Sequence, residues 1–197
     1  MQRPARWGSY RVSYTYSKAL DDVGEFFFSS PLDNFNIRQD WGRSDDDQRH
    51  RILFDGSIHG PEGPADNVWE HLTHGFRLSG ILQYSSPLPF NVLTGANTIQ
   101  GTAARPAING VYIGRNTGIG FDSFTLDARL SRTFAIGERL RLDAMAEAFN
   151  ALNHRNNLFP NGTFGSGSYP ASPSATFGSP TAVGDARSLQ LALRLSF

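Results

Sequence analysis

The sequence predicts an all-β chain, an antiparallel transmembrane β-barrel portion of about six long strands that is a fragment of a larger barrel. Three observations predict it. Apolar and polar residues alternate with period two in six segments, which sorts them onto opposite faces of a strand. Most segments run to about 9–11 residues, the length that crosses a bilayer at a tilt, whereas strands of water-soluble domains average about 5–6. The connections alternate between long and short, the plan of barrels with long extracellular loops and short periplasmic turns.

In 7–17, Tyr10, Val12, Tyr14 and Tyr16 oppose Arg11, Ser13, Thr15 and Ser17. A long loop, 18–48, follows. In 50–59, Ile52, Phe54 and Ile58 oppose Arg51, Asp55 and Ser57, with Leu53 off pattern; a shorter linker, 60–74, leads on. In 75–84, Phe76, Leu78, Leu82 and Tyr84 oppose Arg77, Ser79 and Gln83, with Ile81 off pattern, and the long loop 85–121 follows. In 122–132, Phe124, Leu126, Ala128 and Leu130 oppose Thr125, Asp127, Arg129 and Ser131. The tight turn Ala135-Ile136-Gly137-Glu138 leads to 139–149, where Leu140, Leu142, Ala144, Ala146 and Ala148 oppose Arg139, Arg141, Asp143 and Glu147. This stretch is rich in alanine, a helix former, but its strict alternation belongs to a strand. After the long loop 150–187, Leu189, Leu191, Leu193, Leu195 and Phe197 oppose Ser188, Gln190, Ala192, Arg194 and Ser196. A helix would scatter these leucines around its circumference.

Six strands are fewer than the eight with which single-chain bacterial barrels begin, and an open sheet in hydrocarbon leaves backbone groups unpaired at both edges. Further barrel strands outside this sequence are therefore expected as its partners. The start, Met1 to Trp7, has no apolar core of the signal-peptide kind, which fits a chain beginning inside a longer gene. If the 135–138 turn is periplasmic, the three long loops are extracellular and Phe197 ends at the periplasmic interface, where an aromatic ring suits the girdle.

Composition narrows the function classes. Eighteen basic and 18 acidic residues give zero net charge, and no basic face marks a nucleic-acid partner. Without cysteine there are no disulfides, thiolate metal ligands or thiol nucleophiles. No nucleophile elbow, supported Ser-His-Asp order or phosphate-binding glycine loop is found, so no enzyme, catalytic residue, cofactor or metal site is expected. Asp45-Asp46-Asp47 with Arg49, His50 and Arg51 is the densest charge cluster, but mixed signs neutralise one another and the EF-hand spacing is absent. His71 and His74 lack a third metal ligand. Asp21, Asp22, Glu25, Asp33 and Asp40 make the first long loop acidic, and Phe26-Phe27-Phe28 is expected to pack that loop onto its neighbours. The stretch holding Gly162, Gly165, Gly167, Pro170, Pro173, Gly178 and Pro180 has the composition of a flexible loop. Arg105 and Arg115, isolated in the second long loop, are expected to be solvated.

Four stretches resemble the C-terminal barrel region of TonB-dependent receptors, most closely the Oar-like type that carries a carboxypeptidase-regulatory-like domain. They are Tyr14-Thr15-Tyr16-Ser17-Lys18-Ala19-Leu20-Asp21-Asp22, then Gly42-Arg43-Ser44-Asp45-Asp46-Asp47-Gln48-Arg49-His50-Arg51, then Ala148-Phe149-Asn150-Ala151-Leu152-Asn153-His154-Arg155-Asn156, and the alternating terminus. The resemblance implies a plug domain inside a 22-stranded barrel, contact with the TonB complex through an N-terminal region not contained here, and uptake of an external ligand. It also implies that Leu189, Leu191, Leu193, Leu195 and Phe197 are similar to the signal read by the barrel assembly machinery. With outer-membrane lipid on the apolar side, Arg11, Arg51, Asp55, Arg77, Asp127, Arg129, Arg141, Asp143, Glu147 and Arg194 would face the lumen. The rival expectations are a soluble all-β binding module and a non-transporting outer-membrane adhesin or structural barrel.

Overall fold

The computed structural model describes residues 2–5, 7–22, 24, 31–61, 67–137 and 139–197; for 2–5, 71 and 72 the description is of the backbone. Seven strands form one sheet. They are β1 (Gln2–Ala5), β2 (Gly8–Tyr16), β3 (His50–His59), β4 (Phe76–Ser85), β5 (Ser123–Ile136), β6 (Leu140–Phe149) and β7 (Ser188–Ser196). Each is antiparallel to the next, in chain order from β1 to β7. The outermost strands β1 and β7 are not bonded to each other, so the sheet is an open, up-and-down piece of a barrel. The six long strands expected are β2 to β7; among the described residues a short seventh, β1, joins the sheet, four residues long and containing Pro4, too short for a periodic signal.

The register puts every apolar run on a common face. Tyr14 lies opposite Ile52, which lies opposite Tyr84. Leu130 joins Leu78 to Ala146, and Ala146 joins Leu191. A one-residue slip anywhere would move a whole apolar set to the other side, so the observed register is the one the alternation specifies. Leu53 and Ile81 lie on the polar face, as diagonal neighbours across the β3–β4 ladder. β5 runs to Ile136, beyond the expected 132, because the ladder with β6 continues to the hairpin turn. There Gly137 has φ +67°, a conformation that a side chain would strain.

The linker between β3 and β4 contains a short helix, α1 (Val68–Thr73), capped where Asn67 Oδ1 accepts the Glu70 N–H at 2.9 Å. The connections at this end are otherwise tight. The loops 17–49, 86–122 and 150–187 all leave from the opposite end.

The buried apolar core lies in those loops and not on the sheet. Among the described residues the buried hydrophobic side chains are Leu32, Val92 and Phe164, one from each long loop. The sheet's apolar face is open: Leu189 is 75%, Leu191 83% and Leu193 75% exposed, and Tyr14, Ile58, Leu78 and Leu130 are exposed with them. An apolar face spread across a whole sheet has no stable place in water.

Candidate functional site

The three long loops form one cap. The first and second are joined by ion pairs. Arg105 Nη2 donates to Asp40 Oδ1 at 2.5 Å, and Asp40 Oδ2 accepts the Leu32 N–H at 2.7 Å. Both side chains are almost fully buried. Arg115, also buried, donates to Asp21 and, at 3.1 Å, to Asp45. The fully buried Asn116 donates its amide to Asp45 Oδ1 at 2.7 Å and to the Arg43 carbonyl at 2.8 Å, while Asn91 Oδ1 accepts its backbone N–H. Gln100 Nε2 donates to Asp33 at 2.9 Å.

The second and third loops are joined by backbone. Leu93 N–H donates to the Gly162 carbonyl at 2.8 Å and Phe164 N–H to the Leu93 carbonyl at 2.7 Å. Gly162 fits because a Cβ there would lie 2.4 Å from the Asn91 carbonyl oxygen. Phe164 packs edge-on to Tyr169 and Phe177, whose centroids lie 5.1 and 5.2 Å away. The third loop, read from its glycines and prolines as flexible, is in fact anchored.

These contacts overturn one expectation. Arg105 and Arg115 are neither isolated nor solvated; their countercharges come from the acidic first loop. Burial lowers the Arg105 pKa from its ordinary value, against the opposing pull of Asp40. The other acidic residues divide. Asp21, Asp33 and Asp40 take part in the cap, whereas Glu25 lies outside the described residues, as does the aromatic run Phe26–Phe28.

Asp47 forms a second knot: within the Asp45–Arg51 cluster it pairs with Arg49, while Asp45 pairs outside the cluster with Arg115 and Arg51 donates to Gln48. The Asp47 side chain is 0% exposed. It accepts the Ala19 N–H at 2.9 Å, Arg43 Nε at 2.7 Å and Arg49 Nε at 2.9 Å. The Ser17 N–H donates to the Arg49 carbonyl, the Ser44 N–H to the Ala19 carbonyl, and Leu20 pairs with Arg43. The first two stretches of the family resemblance are thus the two arms of one hairpin, continued above the sheet. The third stretch turns at Asn150 and Asn153, both at positive φ. Its Asn156 brackets β5, accepting the Phe124 N–H and donating to the Phe124 carbonyl.

Burial raises the Asp47 pKa, but the Ala19 N–H and the two arginines outweigh it, and the net shift is downward from 3.8. A depressed carboxylate contributes stability above its unfolded pKa and loses it as pH falls through the folded one. The cap is therefore expected to hold at neutral pH and loosen below about pH 3.8. Amide exchange at Ala19, compared between pH 6 and pH 3 after correction for intrinsic rates, checks this, and Asp47→Asn should abolish the dependence.

Of the histidine pair, His74 Nδ1 lies 2.6 Å from the Glu70 carbonyl oxygen, and the His71 side chain lies outside the description. The polar face gathers the ten charged residues expected to face the lumen, while Arg139 of the alternation falls in the turn before β6. Arg11 pairs with Asp55 at 2.7 Å and Arg129 with Glu147 at 3.0 Å. Asp143 lies opposite Arg194 and accepts the Thr133 hydroxyl at 2.6 Å. Asp127 accepts the Asn150 N–H, and Arg51 donates twice to Gln48 Oε1. Arg77 lies opposite Ser131, and Arg141 opposite Ser196.

The apolar face is bounded by aromatic rings. Toward the loops stand Tyr14, Tyr16, Tyr84 and Phe124; toward the turns stand Phe76 and Phe134, and Trp7, Trp69 and Phe197 are exposed at that end of the strands. Phe76 and Tyr84 are eight residues apart on β4, and Phe124 and Phe134 ten apart on β5. At about 3.3 Å per residue and a tilt of about 45° the separation across the membrane is roughly 19–23 Å, close to the roughly 25 Å apolar band of such barrels.

A strand-built sheet with one hydrocarbon face, two aromatic borders and a loop cap defines a membrane β-barrel. Residues 1–112 and 107–190 each match the family described as outer membrane beta barrel domain, and the chain belongs to that family. Its location is the outer membrane. No curated protein and no solved structure matches the chain. The soluble binding module is thereby set aside.

Proposed function

We propose that this chain is the C-terminal barrel segment of a TonB-dependent outer-membrane receptor, which takes up a ligand with energy from the TonB complex. The observation that carries the reading is the cap: three long loops from distant parts of the sequence fold into one packed surface over one end of the sheet. A receptor needs such a surface outside the cell, and ion pairs such as Arg105–Asp40 hold it in one shape. The open sheet supports the reading too, since both edges require further strands and a larger barrel has room for a plug. The ten charged side chains of the polar face, Arg51, Asp55, Arg77, Asp127, Arg129, Arg141, Asp143, Glu147 and Arg194 with Arg11, then line the lumen. Leu189 through Phe197 then serve as the assembly signal.

The test uses the complete gene product in isolated outer membranes. Cross-linking to the periplasmic domain of TonB is expected, and deletion of a TonB-contacting segment should remove it. A folded barrel that never cross-links would favour the non-transporting adhesin or structural barrel.

A further inference from the structure

The charges of the polar face are met at one end and left open at the other. Nearer the loops, Arg11 pairs with Asp55 and Arg129 with Glu147, Arg51 donates to Gln48, and Asp127 accepts the Asn150 N–H. These six side chains balance, three of each sign. Nearer the turns stand Arg77, Arg141, Asp143 and Arg194. Asp143 accepts the Thr133 hydroxyl at 2.6 Å. Arg77, Arg141 and Arg194 are exposed and make no hydrogen bond or ion pair among the described residues.

The register places them together. Along β5 the polar face runs Asp127, Arg129, Ser131, Thr133, Ala135 toward the hairpin turn. Arg77 lies opposite Ser131, Arg141 opposite Ala135, and Asp143 opposite both Thr133 and Arg194. Three positive charges therefore face one negative charge in the rows next to the turns. A single exposed arginine is content in water. A wall balanced everywhere except at one end is different, because it attracts negative charge to that end, and the apolar layer behind it concentrates the field.

Spacing selects the kind of occupant. Arg77 and Arg141 stand two strands apart, and their partners on β5 are four residues apart. At about 3.3 Å per residue and about 4.8 Å between strands, their backbones are roughly 16 Å from each other. One small anion would have to stretch both side chains to share them. An extended acidic peptide of about five residues covers that distance, and each guanidinium can take a carboxylate through two parallel N–H donors.

We propose that Arg77, Arg141 and Arg194 dock an acidic stretch of the complete protein's own plug domain at the turn-side end of the lumen. The proposal rests on the receptor reading, which puts a plug of the same chain inside the barrel. The exposed arginines add where on this wall the plug is held and the sign of the surface it presents there.

A photo-cross-linking amino acid replaces Ser131, which lies opposite Arg77 on the polar face. The complete protein is irradiated in isolated outer membranes, and the cross-linked peptide is identified by mass spectrometry. A plug peptide rich in Asp and Glu is expected. Arg77→Gln, Arg141→Gln and Arg194→Gln together should lower its yield about tenfold, the scale for losing several exposed ion pairs, while Lys at the same three positions should keep most of it. Salt at about 1 M, which shortens the screening length to about 3 Å, should lower the yield of the parent as well. An unchanged yield in the Gln variant overturns the proposal, as does a cross-linked plug peptide without acidic residues. A cross-link to a separate acidic protein, or none while TonB still cross-links, also overturns it: the arginines then face another partner, or only water and small ions. Loss of the plug and TonB cross-links together overturns the receptor reading and this proposal with it. Outer-membrane fractionation of each variant is read in parallel. If the triple variant fails to reach that fraction, Arg141→Gln alone and the salt series on the parent decide.

Discussion

Leu193→Arg is expected to destabilise the folded barrel by about 2–4 kcal/mol, while Gln190→Arg should change it by less than about 1 kcal/mol. Both residues belong to β7, three positions apart and both exposed, so strand propensity and solvent exposure do not separate them. What separates them is the face. Leu193 lies opposite Ala144 on the apolar side, near the middle of the run from Leu189 to Phe197; Gln190 lies opposite Glu147 on the polar side. In hydrocarbon a central guanidinium loses its hydration and has too far to reach to recover it, whereas beside Glu147 it gains a countercharge. Urea unfolding of the complete protein in lipid vesicles measures the difference. Equal losses at the two positions would mean that hydrocarbon does not solvate the leucine side.

The sheet was legible because a barrel strand needs only its own alternation to declare its faces. The sequence therefore carried β2 to β7 and their common apolar side within a few residues at each end, and the ladder from Tyr14 through Ile52 to Tyr84 follows. Leu53 and Ile81 broke the pattern without breaking the strand, because a polar face inside a barrel tolerates two neighbouring apolar residues. The cap was not legible as a structure. Its links join Arg105 to Asp40 across 65 residues and Arg115 to Asp21 across 94, and no period connects them. One signal was available: a first loop rich in aspartate and a second loop with two arginines have opposite charges. Within the second loop alone the two arginines have no countercharge, because it lies in the first loop. Buried polar side chains such as Asn116 and Asn156 leave no trace in hydropathy, since only the folded backbone shows which amides they satisfy.

Arg105→Ala is expected to weaken the cap by about 3–5 kcal/mol and leave the sheet intact. The substitution leaves the Asp40 carboxylate buried beside Leu32, still accepting the Leu32 N–H but without its countercharge. An uncompensated buried charge is what makes half an ion pair worse than none. The double variant Arg105→Met with Asp40→Leu removes both charges and roughly keeps the volume, so most of the loss should be recovered. Hydrogen exchange reads this locally. Loop amides around Leu32, Thr94 and Thr102 should open more readily in the single variant and return toward the parent in the double one, while amides of β5 and β6 hold their protection. If the single variant leaves those loop amides unchanged, the pair does not hold the loops together, and the cap must rest on its other links, Arg115 with Asp21 and Asp45, the Asn116 amide, and the packing of Val92 and Phe164. If β5 and β6 lose protection as well, cap and sheet unfold as one unit, and the loops are part of what stabilises the barrel end.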